Sequence, residues 1–290
     1  MRFGYIEAKD IGEALSALNE YGGKVKVMAG GTDLFLQIKG DLKRADCLVD
    51  IGGIQELSHI DFDDKVGLRI GAATTIRELE TSAVLKEKYP VICQSARQLG
   101  SIAIRNVATL GGNLCNASPS AEMAPALLGL SARVKIAKRD GEKVIPLDEF
   151  FVGAGESVLE DGEILTEIHV PPPLNNSVGL YLSHTTRGSI DLSVASVSAI
   201  ISFRGNSCND IKLALGAVAP TPMRAKKAEE VMRGHEFSEN LIQTTAKVAA
   251  DESLPISDVR ASSDYRKELI RVLVFRAIEQ AFLKSKQDRA

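Results

Sequence analysis

The sequence predicts an α+β protein assembled from several small sheets, and three observations carry that expectation. Over residues 1–55, helix-period and strand-period segments alternate, which favours a small parallel sheet. Residues 66–72, 132–137 and 163–170 alternate apolar and polar side chains as half-buried strands do, with helical stretches between them. Pro171-Pro172-Pro173 then interrupts the chain, since three prolines continue neither a helix nor a central strand. Beyond it, strand-like runs at 180–183, 191–203 and 211–218 precede helical runs at 226–233, 238–251 and 264–285, a small antiparallel sheet followed by helices.

Each element has its local signal. Asp10 with Glu13 reads as a capping box, and Ile11, Ala14, Leu15 and Leu18 share one helical face. Residues 24–29 form a strand that runs into Ala29-Gly30-Gly31-Thr32-Asp33, followed by a short helix over 33–38 that ends near Gly40. Residues 47–51 are a short buried strand. Thr75 and Glu78 cap a further helix, and 90–99 reads as another. A helix over 120–130 follows the stretch 106–122. In the last helix Leu269, Val272, Leu273, Arg276 and Ile278 mix an apolar stripe with basic positions, as expected of an amphipathic helix lying on a sheet.

The stretch 106–122 organises the chain. It joins a diglycine turn, Thr109-Leu110-Gly111-Gly112-Asn113, to a helix start that carries Glu122, and Ala29-Gly30-Gly31-Thr32-Asp33-Leu34 echoes it upstream. Glycine lets the main chain approach closely and adopt positive φ, so several N–H groups can converge on one anionic oxygen cluster. Threonine and asparagine add donors, and a helix start adds a favourable dipole. Two such loops suggest one elongated, phosphate-bearing ligand held from two sides, although Gly30-Gly31 alone reads equally as a plain strand-to-helix turn. There is no G-x-G-x-x-G opening a helix after the first strand and no G-x-x-x-x-G-K-[ST], which disfavours Rossmann and P-loop sites.

Composition narrows the classes further. With 290 residues, 44% hydrophobic and 25% charged, the chain has the make-up of an ordinary globular protein of two or three compact units. A net charge of −3, no tryptophan and 5% aromatics argue against nucleic acid as a partner. The N-terminus has no apolar signal core and no run approaches the roughly 18 apolar residues of a membrane span, so a cytoplasmic enzyme or enzyme subunit is expected. Cys47, Cys93, Cys115 and Cys208 are scattered, as are His59, His169, His184 and His235, so neither a disulfide framework nor a metal site is expected in this chain.

Taken together, Ala29-Gly30-Gly31-Thr32-Asp33, the run from Arg105 through Thr109 to Asn113, and Ala117-Ser118-Pro119 resemble the FAD-binding medium subunit of the molybdenum hydroxylases. That family includes the flavin modules of xanthine, carbon monoxide and nicotinate dehydrogenases. Arg187 with Asp191-Leu192, the strand over 213–219 with Pro220-Thr221-Pro222-Met223-Arg224, and Pro255-Ile256-Ser257-Asp258-Val259-Arg260 with Tyr265-Arg266 agree in register, so the resemblance covers essentially the whole chain.

The resemblance implies two α/β subdomains of the PCMH-type FAD-binding fold, 1–55 and 56–177, and a C-terminal domain over 178–290 with a small antiparallel sheet and helices. It implies that main-chain groups of residues 29–34 and 109–113 bind the pyrophosphate of FAD. No histidine lies in either glycine loop and Cys115 is the only cysteine near one, so non-covalent FAD is expected. Glu122 stands where the family often has aspartate, near the ribitol or ribose hydroxyls; it reads alternatively as an acid stabilising a helix N-terminus. Leu165 matches an apolar position that packs on the flavin, or is a plain core residue. Ser183 stands where some members carry lysine, with His184 beside it, a departure that removes a cation near the flavin ring. The implied work is electron transfer: hydroxylation at a molybdenum–pterin centre in a large subunit, electrons through iron–sulfur clusters of a small subunit to this FAD, then to an external acceptor. A stand-alone FAD-dependent oxidoreductase of the same fold and a cofactor-free scaffold are the alternatives.

Overall fold

A computed structural model describes residues 3–188 and 190–287. The chain opens with β1 (Gly4–Glu7), α1 (Ile11–Tyr21), β2 (Val25–Met28), α2 (Leu34–Lys39) and β3 (Cys47–Asp50). Asp10 accepts from the Glu13 N–H, while the Glu13 carboxylate reaches past it to the Lys9 N–H. The three strands form a parallel sheet in the order β1-β3-β2, with Met28 opposite Asp50. The first diglycine stretch therefore leaves the carboxyl edge of a parallel sheet, where α/β proteins place their ligands.

Next come β4 (Ile60–Asp63), β5 (Gly67–Gly71), α3 (Ile76–Thr81), α4 (Ala83–Lys88), α5 (Pro90–Gln98), α6 (Ile102–Arg105), α7 (Leu110–Cys115) and α8 (Met123–Gly129). They are followed by β6 (Arg133–Lys138), β7 (Gly141–Pro146), β8 (Phe151–Gly153), β9 (Glu156–Ser157) and β10 (Ile164–Val170). Among the described residues β4-β5-β10-β6-β7 form an antiparallel sheet, and β8 and β9 a short ribbon. Thr75 and Glu78 make a complete capping box at α3, as the sequence predicts. Helix α6, helix α7, edge strands β4 and β7, and the ribbon have no counterpart in the sequence reading. Each is short or polar, and the two glycines of α7 weaken its intrinsic helix signal.

The last part holds β11 (Ser177–His184), β12 (Ala195–Arg204), β13 (Ser207–Gly216), β14 (Met223–Arg224), α9 (Lys226–Met232), α10 (Glu239–Glu252) and α11 (Ser263–Gln287). The strands form an antiparallel sheet in chain order. The expected strand over 191–203 starts later, at Ala195, because Asp191 is turned back to accept from the Thr186 hydroxyl and the Arg187 side chain. One face of β12 packs on α11 through Val197, Ala199 and Ile201, and α10 packs on α11 in turn. The other face meets α8, every residue of which is buried. A helix apolar all round belongs inside a protein. Close approach is what its neighbours require: a Cβ on Gly216 would lie 2.7 Å from Pro125 Cγ, and one on Gly129 would lie 2.8 Å from Ser198 Oγ.

Helix α11 lies on the sheet as expected, with Ile270, Leu273, Val274, Ala277, Ile278 and Ala281 buried. Its first buried residue is a cation. Arg266 donates to the carbonyls of Val194 and Ala217, both at 2.9 Å, and to the Asp258 carboxylate at 2.8 Å. Asp258 also accepts the N–H groups of Arg260 and Ala261, and its carboxyl is held down at about 2 by these main-chain bonds and by Arg266. Arg266 thus fixes the loop that ends at Val194 to the start of α11. Arg266→Met, which keeps the stem but strands two carbonyls and a carboxylate, is expected to lower stability by about 3 kcal/mol in urea unfolding.

Candidate functional site

A cleft of about 620 Å³ separates the carboxyl edge of the parallel sheet from α7 and the residues before α8. One wall is residues 27–34 with Leu36, Gln37 and Lys43; the other includes Ala108, Thr109, Gly112, Asn113, Cys115, Asn116 and Glu122; Ile190, Asp191 and Leu192 form a lip. Gln37 Nε2 donates to Asn116 Oδ1 at 2.8 Å, a direct tie between the walls.

The walls touch at Gly30. A Cβ there would stand 2.1 Å from the Val107 carbonyl oxygen, so no side chain fits. Gly31 answers to conformation as well as space: its φ is +66°, in the left-handed region that favours glycine, and a Cβ there would stand 2.8 Å from the Phe35 ring. The amides of Gly30, Gly31, Thr32 and Asp33 donate to no main-chain carbonyl among the described residues. Four consecutive unused donors bordering a cleft suit an anion.

The second diglycine is built differently from the loop that the sequence suggests. Thr109 caps α7 by accepting the Gly112 N–H at 3.1 Å, so Gly111 and Gly112 form the first turn of a helix, and neither has a positive φ. Gly111 is required by packing, because its Cβ would lie 2.7 Å from that of Ala72. Its N–H donates to the Ala72 carbonyl, and that of Leu110 to Thr74. Those two amides are consumed inside the protein, and Leu110 is fully buried. Thr109, Gly112 and Asn113 are left to border the cleft, with Asn113 Oδ1 accepting from the Met123 N–H at 3.3 Å.

Glu122 borders the cleft but is 5% exposed. Its carboxylate accepts from the Ser193 hydroxyl at 2.6 Å and from the Tyr181 hydroxyl. Burial pushes its carboxyl above the ordinary range, and the two hydroxyls pull part of the way back. It stands at the N-terminus of α8, where an acid was the alternative expectation, but makes no side-chain cap bond there. The carboxylate joins the cleft to β11 and the loop after it. Tyr181 and Ser193 had no signal in the sequence, since they lie 59 and 71 residues away.

Ala29, Gly30, Gly31, Thr32, Asp33, Leu34, Thr109, Gly112, Asn113 and Glu122 thus meet at one cleft. Leu110, Gly111, Leu165 and Ser183 do not border it. Leu165 is 3% exposed and sits in the core on β10; Ser183, half-buried on the edge strand β11, is in register with Ser196. The cleft adds residues that sequence reasoning missed, Lys43 as a polar group and Leu36, Leu99, Ile104 and Ile190 as apolar surface, and it takes in Asn116, Ser118 and Ser120 of the 106–122 stretch and Leu192 of the Asp191-Leu192 motif. The exposed Ile190 and Leu192 flank Asp191, whose carboxyl is held far below the carboxylate range by Arg187 and then Thr186. Cys115 also borders the cleft, with its thiol pushed up to about 12 by burial.

Unused amides, hydroxyl and amide donors and one lysine at one end, and large apolar side chains at the lip, fit a dinucleotide with a diphosphate and a flat ring. Fold and cleft therefore define a flavin-dinucleotide protein of the PCMH type with an added C-terminal domain. Comparison with known proteins agrees. The family model described as FAD binding domain in molybdopterin dehydrogenase matches residues 1–173, and that of the CO dehydrogenase flavoprotein C-terminal domain matches 181–281. The xanthine dehydrogenase FAD-binding subunit of Escherichia coli O157:H7 is 31% identical over 96% of this chain and 95% of its own. The glyceraldehyde dehydrogenase medium chain of Sulfolobus acidocaldarius is 31% identical over 96% of this chain and 98% of its own. A solved chain of carbon monoxide dehydrogenase from Hydrogenophaga pseudoflava superposes with a TM-score of 0.94 at 28% identity, covering 98% of both chains. The chain belongs to the family of FAD-binding subunits of the molybdenum hydroxylases.

Two substitutions probe this architecture. Gly30→Ala must displace the Val107 main chain and is expected to cost about 1–3 kcal/mol in thermal or urea unfolding. Gly53→Ala, whose Cβ would meet only the Glu7 carboxylate at 3.9 Å, should be nearly silent. Glu122 gives a pH signature. Its raised folded-state value means that its stabilising effect is full below the ordinary carboxylate range, about 4 to 5, and is lost as pH rises through the raised value. Melting curves across pH should therefore show the wild type losing ground to Glu122→Gln as pH rises through that window.

Proposed function

We propose that this chain is the FAD-binding, electron-transferring subunit of a molybdenum-containing hydroxylase or dehydrogenase complex. It would work in the cytoplasm beside an iron–sulfur small subunit and a molybdenum–pterin large subunit, and would pass electrons to an external acceptor. The observation that carries this reading is the cleft in which unused amides 30–33 face the Thr109–Asn113 turn, in a chain of this family. When bound, FAD supplies a carrier able to exchange single electrons with metal clusters and electron pairs with an acceptor.

The chain's own residues position, orient and exclude solvent. The N–H groups of Gly30, Gly31, Thr32 and Asp33, with Thr109 and Asn113, hold the diphosphate. Ile104, Ile190 and Leu192 offer apolar surface that keeps water from the ring. Glu122, locked by Tyr181 and Ser193, keeps the C-terminal sheet against the cleft. Attachment is non-covalent: no histidine borders the cleft among the described residues, and a Cys115 thiol raised to about 12 stays protonated and unreactive.

Division of labour with partner subunits has support in the cysteines, which lie apart on β3, α5, α7 and β13. No helix among the described residues is long and apolar enough to cross a membrane. Relatives at similar identity are named for xanthine, glyceraldehyde and carbon monoxide, so the substrate is set by the partner that bears the molybdenum centre. Purified with FAD supplied, the chain should be yellow and should release all its flavin on acid denaturation. From native cells it should co-purify with two polypeptides containing molybdenum and iron. A chain that stays colourless in excess FAD contradicts the flavin reading, and one isolated without such partners contradicts the subunit reading.

A further inference from the structure

The cleft is poorly balanced for a doubly anionic group. Asp33, Glu122 and Asp191 border it as acids. Glu122 is committed to Tyr181 and Ser193, and Asp191 to Arg187 and Thr186. Asp33 stands within the run of unused amides and does not cap α2 with its side chain. Amide dipoles alone would have to hold a diphosphate beside that carboxylate.

Among the described residues that border the cleft, one lysine or arginine is present, Lys43. It lies in the turn after α2, where its N–H donates to the Gln37 carbonyl at 3.2 Å and that of Leu42 donates to the same oxygen at 2.9 Å. The Gln37 side chain in turn grips Asn116 on the opposite wall at 2.8 Å. The turn is therefore pinned to both sides of the cleft. The Lys43 ammonium is near enough to act on a group of each wall. Partial burial raises the Asp33 carboxyl and Lys43 draws it back; burial raises the Cys115 thiol and Lys43 opposes that too. The neighbouring Lys39 and Arg44 are exposed and do not border the cleft.

We infer that the Lys43 ammonium is the counter-charge of the FAD diphosphate, closing the anion site that the amides of 30–33 leave open; this rests on the FAD reading above. The physical reason is that each amide offers a partial charge, whereas an ammonium offers a whole one on a flexible stem that can follow the phosphate oxygens. It also offsets Asp33, which would otherwise repel the ligand.

The test uses the full-length chain stripped of flavin, with FAD titrated by fluorescence at low and at high salt, and ADP as a competitor that carries the diphosphate without the ring. Lys43→Met should bind FAD and ADP about tenfold more weakly at low salt, the usual scale for loss of one charge-assisted contact. Its affinity should also depend less on salt than that of the wild type. Lys43→Arg should recover most of the loss, and Lys39→Met should match the wild type. Lys43 is exposed, so folding is not at stake, and unchanged melting curves verify that. Wild-type FAD affinity and salt dependence in Lys43→Met overturn the inference. A wild-type chain that binds no FAD overturns the flavin reading and this inference with it.

Discussion

The structure depends on a place where there is no room for a side chain. Gly30 lies against the Val107 carbonyl so closely that a single added carbon would force the walls apart. This contact brings the carboxyl edge of a three-stranded parallel sheet to the segment that opens α7. The same main chain that gives up its side chain also leaves four N–H groups that donate to no main-chain carbonyl among the described residues. Close packing and anion binding are thus two results of one glycine-rich segment, with Gly31 supplying the positive φ and Gly30 the proximity.

Around this contact the fold is a set of clamps. Helix α8, apolar all round, is held between the central helices and the C-terminal sheet, and Gly216 and Gly129 allow that approach. Glu122 opens α8 and gathers hydroxyls from β11 and the following loop, an arrangement that costs desolvation of a carboxylate yet satisfies both its oxygens. Arg266 works beside Ser193, tying Val194 to the start of α11. The lip of the cleft, with Ile190 and Leu192, therefore lies between Tyr181 on one side and Ser193 and Val194 on the other, all held by buried polar groups.

Much of this was legible in the sequence, and the reasons for the rest are physical. The capping box at Thr75, the strand before Gly30, the long last helix and the order of sheets follow from local periodicity and punctuation, and the motifs in register pointed to the family. Helix α7 did not follow, because two glycines read as a loop unless Thr109's cap and Ala72's proximity are known. Leu110 and Gly111, expected at the ligand through their main-chain groups, spend their amides on Thr74 and Ala72. Leu165 and Ser183 came from family likeness; Leu165 lies in the core cluster, and half-buried Ser183 is in register with Ser196 on the neighbouring strand. Lys43 had no motif around it; only the fold of the turn after α2 brings it to the cleft.

The claim on which the account rests is that one diphosphate sits between the amides of 30–33 and the Thr109–Asn113 turn. A crystal structure of the full chain grown with FAD measures this directly. The account predicts diphosphate oxygens within hydrogen-bonding distance of both segments, with the ring toward Ile190 and Leu192. A flavin bound elsewhere, or a diphosphate that touches only one of the two walls, would contradict it.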